Sequence, residues 1–234
     1  MMKKILFIFA LLLTLNINAQ NSNINKEEIM KTIMKIPEIN AEYEVFDEKT
    51  WFSKKPRGEV KTRVVGKDTL RGFATTRSYE ENDEKGQRRK YFSKGSSRIS
   101  ESDYTTNPII GIHKKFYLNG GLELKGLSCC FGFAMGLWYY YDEQGNLIRT
   151  KNYDEGFEFT AEDIFAYCLD NNISLEKKEE ALRTRIRKYT DAKNKSSWFI
   201  HYNDYTKRKE IVIRLDGKTG EVIEVTEYDF AIEH

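Results

Sequence analysis

The sequence predicts an α+β protein built mainly from antiparallel β-sheet, and three observations predict it. Aromatic residues make up 13% of the chain, and large rings favour strands, where they pair across a sheet. Only three prolines occur. Short alternating segments separated by glycine turns fill most of the chain, and helical periodicity is confined to a few stretches.

The first twenty residues, MMKKILFIFALLLTLNINAQ, stand apart from this pattern. Lys3 and Lys4 form a positive start, Ile5 to Leu15 is apolar except for Thr14, and small Ala19 follows in a more polar end. The apolar run has the length of a signal-peptide core and is too short to span a bilayer. Residues 1–20 are therefore expected to direct export and to be removed near Ala19 or Gln20. No cysteine sits near that point to carry a lipid. The segment holds two lysines and no acid, so its removal takes the formal net charge from +2 to zero. A neutral chain with 32% charged residues advertises no nucleic-acid or acidic-lipid partner. No later apolar stretch approaches spanning length, so no membrane anchor is expected after cleavage.

Lys26 to Ile36 reads as a short helix with Ile29, Ile33 and Ile36 on one face, ended by Pro37. Strands are expected at Glu59–Val65 and Leu70–Tyr79, with a turn at Gly66-Lys67-Asp68 between them. Glu80 to Arg89 reads as an exposed hairpin loop, Tyr91 and Phe92 as a strand, and serine-rich Lys94 to Asn107 as a flexible loop. Phe116, Gly120 and Leu122 then form an aromatic strand end, a turn and an apolar restart. The same order returns 25 residues later at Tyr141, Gly145 and Leu147. A fixed period with a turn glycine predicts successive hairpins. Alternation places Trp138 and Tyr140 on one face of this segment, and Tyr139 and Tyr141 on the other.

Thr160 with Asp163 makes a capping-box-like start to a helix whose apolar face is Ile164, Phe165, Cys168 and Leu169. Ser174 is read as the cap of a second helix, striped by Leu175, Leu182, Ile186 and Tyr189. A three-stranded meander is expected last: Ser197–Tyr202 with Trp198, Ile200 and Tyr202 on one face, Glu210–Leu215 with Ile211, Ile213 and Leu215, and Glu221–Tyr228. The whole divides into residues 1–20, a hairpin-rich region 21–157, and a helix-plus-strand region 158–234.

Chemistry is sparse. His113, His201 and His234 show no metal-ligand spacing, and neither a phosphate-cradling glycine loop nor a nucleophile elbow is present. No metal and no cofactor is expected. Cys168 with His201 and Asp204 could form a nucleophile, base and orienter, but Cys168 lies on an apolar helix face, where a structural thiol is the simpler reading. In an exported chain Cys168 could also be bridged to Cys129 or Cys130. Arg183, Arg185, Arg187 and Lys188 read as a basic cluster at a helix C-terminus, where cations are favoured. The candidate binding residues are Trp138, Tyr139, Tyr140, Tyr141 and Tyr153, because exposed Trp and Tyr recognise proteins and sugars.

Gly136, Trp138, Tyr140, Tyr141, Gly145, Leu147 and Tyr153 give residues 114–157 a pattern that resembles MORN-like hairpin repeats. The resemblance implies a binding or structural scaffold and carries no catalytic residue. Asp216, Thr219, Gly220, Glu221 and Val222 give residues 160–228 an ending that resembles a PepSY-like module, which implies a small ligand- or partner-binding unit, in some relatives a protease inhibitor. The expected function is that of an exported, non-enzymatic interaction protein presenting a β-sheet surface. Its partner would be another exported or envelope protein, or a glycan, in the periplasm or outside the cell. The alternative is an inhibitor or immunity/antitoxin-type protein that blocks an exported protease or toxin. A cysteine-dependent enzyme is the third reading.

Overall fold

A computed structural model describes residue 28, residues 30–47, 99–175 and 184–230, and the backbone alone of 59–68, 72–82 and 88–94. The expected signal peptide, Ile29 and the first residues of the strand expected from Leu70 lie outside the described residues. The fold is α+β and mainly antiparallel sheet. Eight strands in sequence order form one sheet: β1 (Glu59–Asp68), β2 (Gly72–Asn82), β3 (Arg88–Lys94), β4 (Ile99–Asp103), β5 (Ile110–Phe116), β6 (Leu122–Cys129), β7 (Phe133–Tyr141) and β8 (Leu147–Asn152). Helix α1 (Ala161–Asp170) follows, then a four-stranded sheet of β9 (Arg185–Thr190), β10 (Ser196–Asp204), β11 (Lys209–Asp216) and β12 (Val222–Asp229), in which β12 and β9 are the edges.

Each hairpin places its turn where backbone and side chain agree. Gly120 (φ +91°) and Gly145 (φ +89°) sit at equivalent places in two turns. In each turn the glycine amide donates three residues back, to Tyr117 O and Asp142 O respectively. Each turn is flanked by a register shift, beside the pairs Phe116–Leu122 and Tyr141–Leu147. The period read in the sequence is thus a period of hairpin geometry.

Several expectations are corrected. β1 runs through Gly66 to Asp68, with a register shift between Val64 and Lys67 where a turn was expected. β2 extends to Asn82 and β3 begins at Arg88, so the loop is shorter than Glu80–Arg89. The serine-rich segment contains β4, whose Ile99 is buried against Phe116. Ile36 is exposed, and of the expected N-terminal apolar face Ile33 is the buried member. Ile186 and Tyr189 lie on β9, so they belong to a strand; Leu182 and Arg183 lie outside the described residues. The C-terminal sheet accordingly has four strands, and Arg185, Arg187 and Lys188 mark no helix end.

One buried cluster joins the two sheets. Leu127, Phe133 and Met135 of the large sheet meet Ile164, Phe165 and Cys168 of α1 and Ile186, Trp198, Ile200, Ile213 and Leu215 of the small sheet. Alternation explains it: β10 and β11 turn every second residue inward, as expected. Stretches on either side of position 157 therefore share their apolar packing. The amide of Ile186 on β9 donates to Phe131 O in the β6–β7 turn at 2.9 Å, and the Trp198 indole on β10 donates to Phe159 O in the segment before α1 at 2.9 Å, which ties the small sheet to both. Thr160 and Asp163 form the expected capping box of α1. A second cluster of Phe46, Ile99, Phe116, Leu122 and Tyr141 lies where residues 44–46 cross the large sheet, the Phe46 amide donating to Gly120 O.

Candidate functional site

The β7–β8 hairpin presents the aromatic residues singled out in the sequence. Trp138 lies flat across β6 because residue 126 is glycine: a Cβ there would sit 2.0 Å from the indole. Its ring nitrogen donates to Leu127 O at 3.1 Å. Tyr153 stacks against Trp138 with ring centres 5.3 Å apart. The Tyr140 and Tyr153 hydroxyls share a hydrogen bond of 3.0 Å. The Arg149 guanidinium sits 3.9 Å above the Tyr140 ring, and the Lys151 ammonium 4.2 Å above Tyr153. Burial, and then the bond to Tyr153, holds the Tyr140 hydroxyl above its ordinary pKa, so it stays protonated.

His113 extends this face towards β4. Its ring is 6.0 Å from that of Trp138, and its Nδ1 shares a 3.0 Å hydrogen bond with Ser102 Oγ. Burial, with help from Lys115, pushes the imidazole down to about 4. The ring is therefore neutral at physiological pH and acts here as an aromatic and polar wall.

Tyr139 and Tyr141 take the opposite face, as alternation requires. Tyr141 is buried, its hydroxyl donates to Ala41 O at 2.8 Å, and its ring packs on Tyr43. Tyr139 packs against the same cluster. The five candidate residues thus separate by sheet face into Trp138, Tyr140 and Tyr153 on one side and Tyr139 and Tyr141 on the other. Trp138 is itself buried, at 8% exposure, beside Tyr153 and His113, so the accessible part of its face is the half-buried pair Tyr140 and Tyr153.

Cys168 is buried, in keeping with its reading as a structural thiol, and Cys129, Cys130 and Cys168 form no disulfide, so the bridge also considered from Cys168 to Cys129 or Cys130 is absent. Cys129 shares a thiol hydrogen bond with Cys130, and burial pushes the Cys168 thiol up to about 12. A protonated, buried thiol is a poor nucleophile. Ile200 and Tyr202 pack with Cys168, so His201 between them points to the other face of β10. Asp204 is spent on the next turn, accepting from the amides of Thr206 and Lys207 at 3.0 Å. The Cys-His-Asp arrangement is not assembled. Among the described residues no group of His, Cys, Asp and Glu is placed to hold a metal ion, and no helix is long and apolar enough to cross a membrane.

Two clefts went unread in the sequence. The first, about 330 Å³, is lined by Glu38, Asn40, Glu44, Ile112, Lys114 and Lys125. The Lys125 side chain is 2% exposed, and its ammonium donates to Asn40 Oδ1, Glu42 O and Glu44 Oε1. Glu44 also pairs with Lys114. Burial raises the Glu44 pKa, but its bonds to Lys114 and Lys125 together outweigh burial and hold it below the ordinary value. The second cleft, about 230 Å³, is lined by Leu127, Met135, Phe157, Trp198 and Lys188 among others. The Lys188 ammonium lies 4.9 Å from the Trp198 ring centre and 5.1 Å from that of Phe157, and pairs with Asp154, whose other oxygen accepts from the Gly136 amide. Burial lowers the Lys188 pKa against the pull of Asp154. Both clefts had a signal in the sequence. Lys125 shares the parity of buried Leu127, and Lys188 that of buried Ile186, so each lysine had to point inward and find an acceptor.

No protein-family model matches the chain, and no curated protein matches it. What the site shows is a buried indole with two half-buried tyrosines beside it, fixed by hydrogen bonds and flanked by Arg149 and Lys151.

Proposed function

We propose that the protein is an exported, non-enzymatic interaction protein that recognises its partner with the outer face of the large sheet around Trp138, Tyr140 and Tyr153. One observation carries the reading. This tyrosine–tryptophan group is held rigid by its own hydrogen bonds and stacking, while adjoining β8 is exposed along its whole length. Rigid aromatics lose little entropy on binding, and with Arg beside them they are the residues that dominate recognition energies. The repeated turn geometry at Gly120 and Gly145 supports treating β5–β8 as hairpin repeats of the MORN-like kind. Residues 1–20 serve as the export leader, and the partner is another exported or envelope protein, or a glycan. The reading calls for no cofactor.

The test is quantitative capture from an envelope extract with the purified protein and its Tyr140→Ala and Arg149→Ala variants as bait. A specific partner is expected with the unaltered protein. Each variant should weaken it by about 2 kcal/mol, or roughly thirtyfold in affinity, while keeping its thermal midpoint. A partner held equally by all three baits would place recognition elsewhere. Periodate treatment of the extract separates a glycan from a protein partner. The inhibitor reading draws on one feature, the exposed C-terminal strand β12, and that edge is assigned a different occupant below.

A further inference from the structure

One edge strand of each sheet, β8 and β12, is exposed along its length among the described residues. All six residues of β8 are exposed, Ile148 at 63% and Leu147 at 47%. On β12 every residue but Thr226 is exposed, including Val225 at 53% and Tyr228 at 54%. An edge strand offers a row of backbone donors and acceptors, and exposed apolar side chains on both its faces make it a template for another strand.

The two edges are opposite in charge. β8 carries Arg149 and Lys151 and no acid. β12 carries Glu224, Glu227 and Asp229 and no base. Asp229 is paired with Lys209 at 2.8 Å, and Glu224 and Glu227 add two further negative charges along the strand. Antiparallel pairing of β8 with a second β8, centred on Thr150, would set Arg149 against Lys151. Pairing of β12 with a second β12 about its midpoint would set Glu224 against Glu227. Like charges directly opposite each other are destabilising. Pairing β8 with β12 removes both conflicts. With Arg149 opposite Glu227, Thr150 falls opposite Thr226 and Ile148 opposite Tyr228, while Lys151 lies diagonal to Glu227.

We infer that the occupant of each edge is a second copy of this chain. β12 of one copy adds antiparallel to β8 of the next, continuing the large sheet of one molecule into the small sheet of its neighbour. β8 and β12 are different strands of one chain, so the contact is head-to-tail and repeats along a row or closes into a ring.

Sedimentation velocity of the purified protein from micromolar to submillimolar concentration tests this. Species larger than the monomer should grow with concentration and recede at high salt, which screens exposed charges. The R149E/K151E variant has two acidic edges and the E224K/E227K variant two basic ones. Each alone should remain monomeric, and an equimolar mixture should associate again. Circular dichroism melts establish that both variants are folded. An unaltered protein that stays monomeric throughout, a single variant that associates as well as the unaltered chain, or a mixture that stays monomeric would each overturn the inference. Carbodiimide crosslinking needs no variant: it should join Lys151 of one copy to Glu227 of another, and crosslinked dimers without any β8–β12 linkage would contradict it.

Discussion

Asn107 uses both ends of its amide inside the protein. The side chain is fully buried; its Nδ2 donates to the carbonyls of Thr32, Ile33 and Lys35, and its Oδ1 accepts from the amides of Ile109 and Ile110. It ties the carbonyls of residues 32–35 to the start of β5. Replacing it with Ala strands buried donors and acceptors, so Asn107→Ala should lower stability by about 3 kcal/mol in a denaturant titration. Gly126 is as constrained for a steric reason. Gly126→Ala drives a methyl into the Trp138 ring and should cost about 2 kcal/mol, with a shift in tryptophan emission as the indole leaves its site. His113 sets a pH dependence. Its folded pKa lies near 4 against an ordinary 6.5, so between those values the unfolded chain binds a proton that the folded chain refuses. Stability from this group is whole above about pH 6.5 and is lost as pH falls towards 4. A His113→Gln variant should show a shallower acid slope in the same titration. Residue-scale features were only partly legible in the sequence. Asn107 sat in a serine-rich stretch with no periodicity to mark it as buried, and Lys125 is an inward lysine whose acceptors lie 81 to 85 positions away in the chain.

At the scale of elements, the β7–β8 hairpin was readable because its turn uses side-chain chemistry: Asp142 accepts from the amides of Gln144 and Asn146. The β9–β10 turn uses the same device, Asp191 accepting from the amides of Lys193 and Lys195, but it went unread because β9 was taken for a helix. Gly145 in the first turn and Asn194 (φ +59°) in the second take the left-handed position. Gly145→Ala should therefore cost about 1–2 kcal/mol, whereas Asn194→Gly should be nearly neutral, and paired thermal melts would compare them. Removing the α1 cap by Thr160→Ala should cost about 1 kcal/mol. The strand β9 was misread for a reason that its packing makes plain. Leu182, Ile186 and Tyr189 recur at helical spacing, and the inward residue that would have completed a strand pattern is Lys188, a charge. Its stem and ammonium lie among Phe133, Phe157 and Trp198, so it packs as an apolar residue does while Asp154 holds its head. β4 escaped notice because Ile99 is its one large apolar residue and Ser100 and Ser102 face outward beside His113.

For the molecule as a whole, two sheets share one apolar cluster with α1, one face of the large sheet carries a hydrogen-bonded aromatic group, and the edge strands β8 and β12 are exposed. The division of labour follows from parity. In β7 Tyr141 supports the crossing segment below while Tyr140, one residue away, stands on the other face. The aromatic face was legible as alternation, but its cations were not, because Arg149 and Lys151 reach Tyr140 and Tyr153 only through the β7–β8 register. Buried thiols accompany this packing: Cys129 and Cys168 should resist alkylation in the folded protein and react once it is denatured. The central claim is that the β7–β8 face is the recognition surface. Hydrogen–deuterium exchange of the protein alone and of its captured complex tests it most directly. Protection on binding is predicted across residues 138–153. Protection confined to other segments, with this hairpin exchanging as it does in the free protein, would contradict the account.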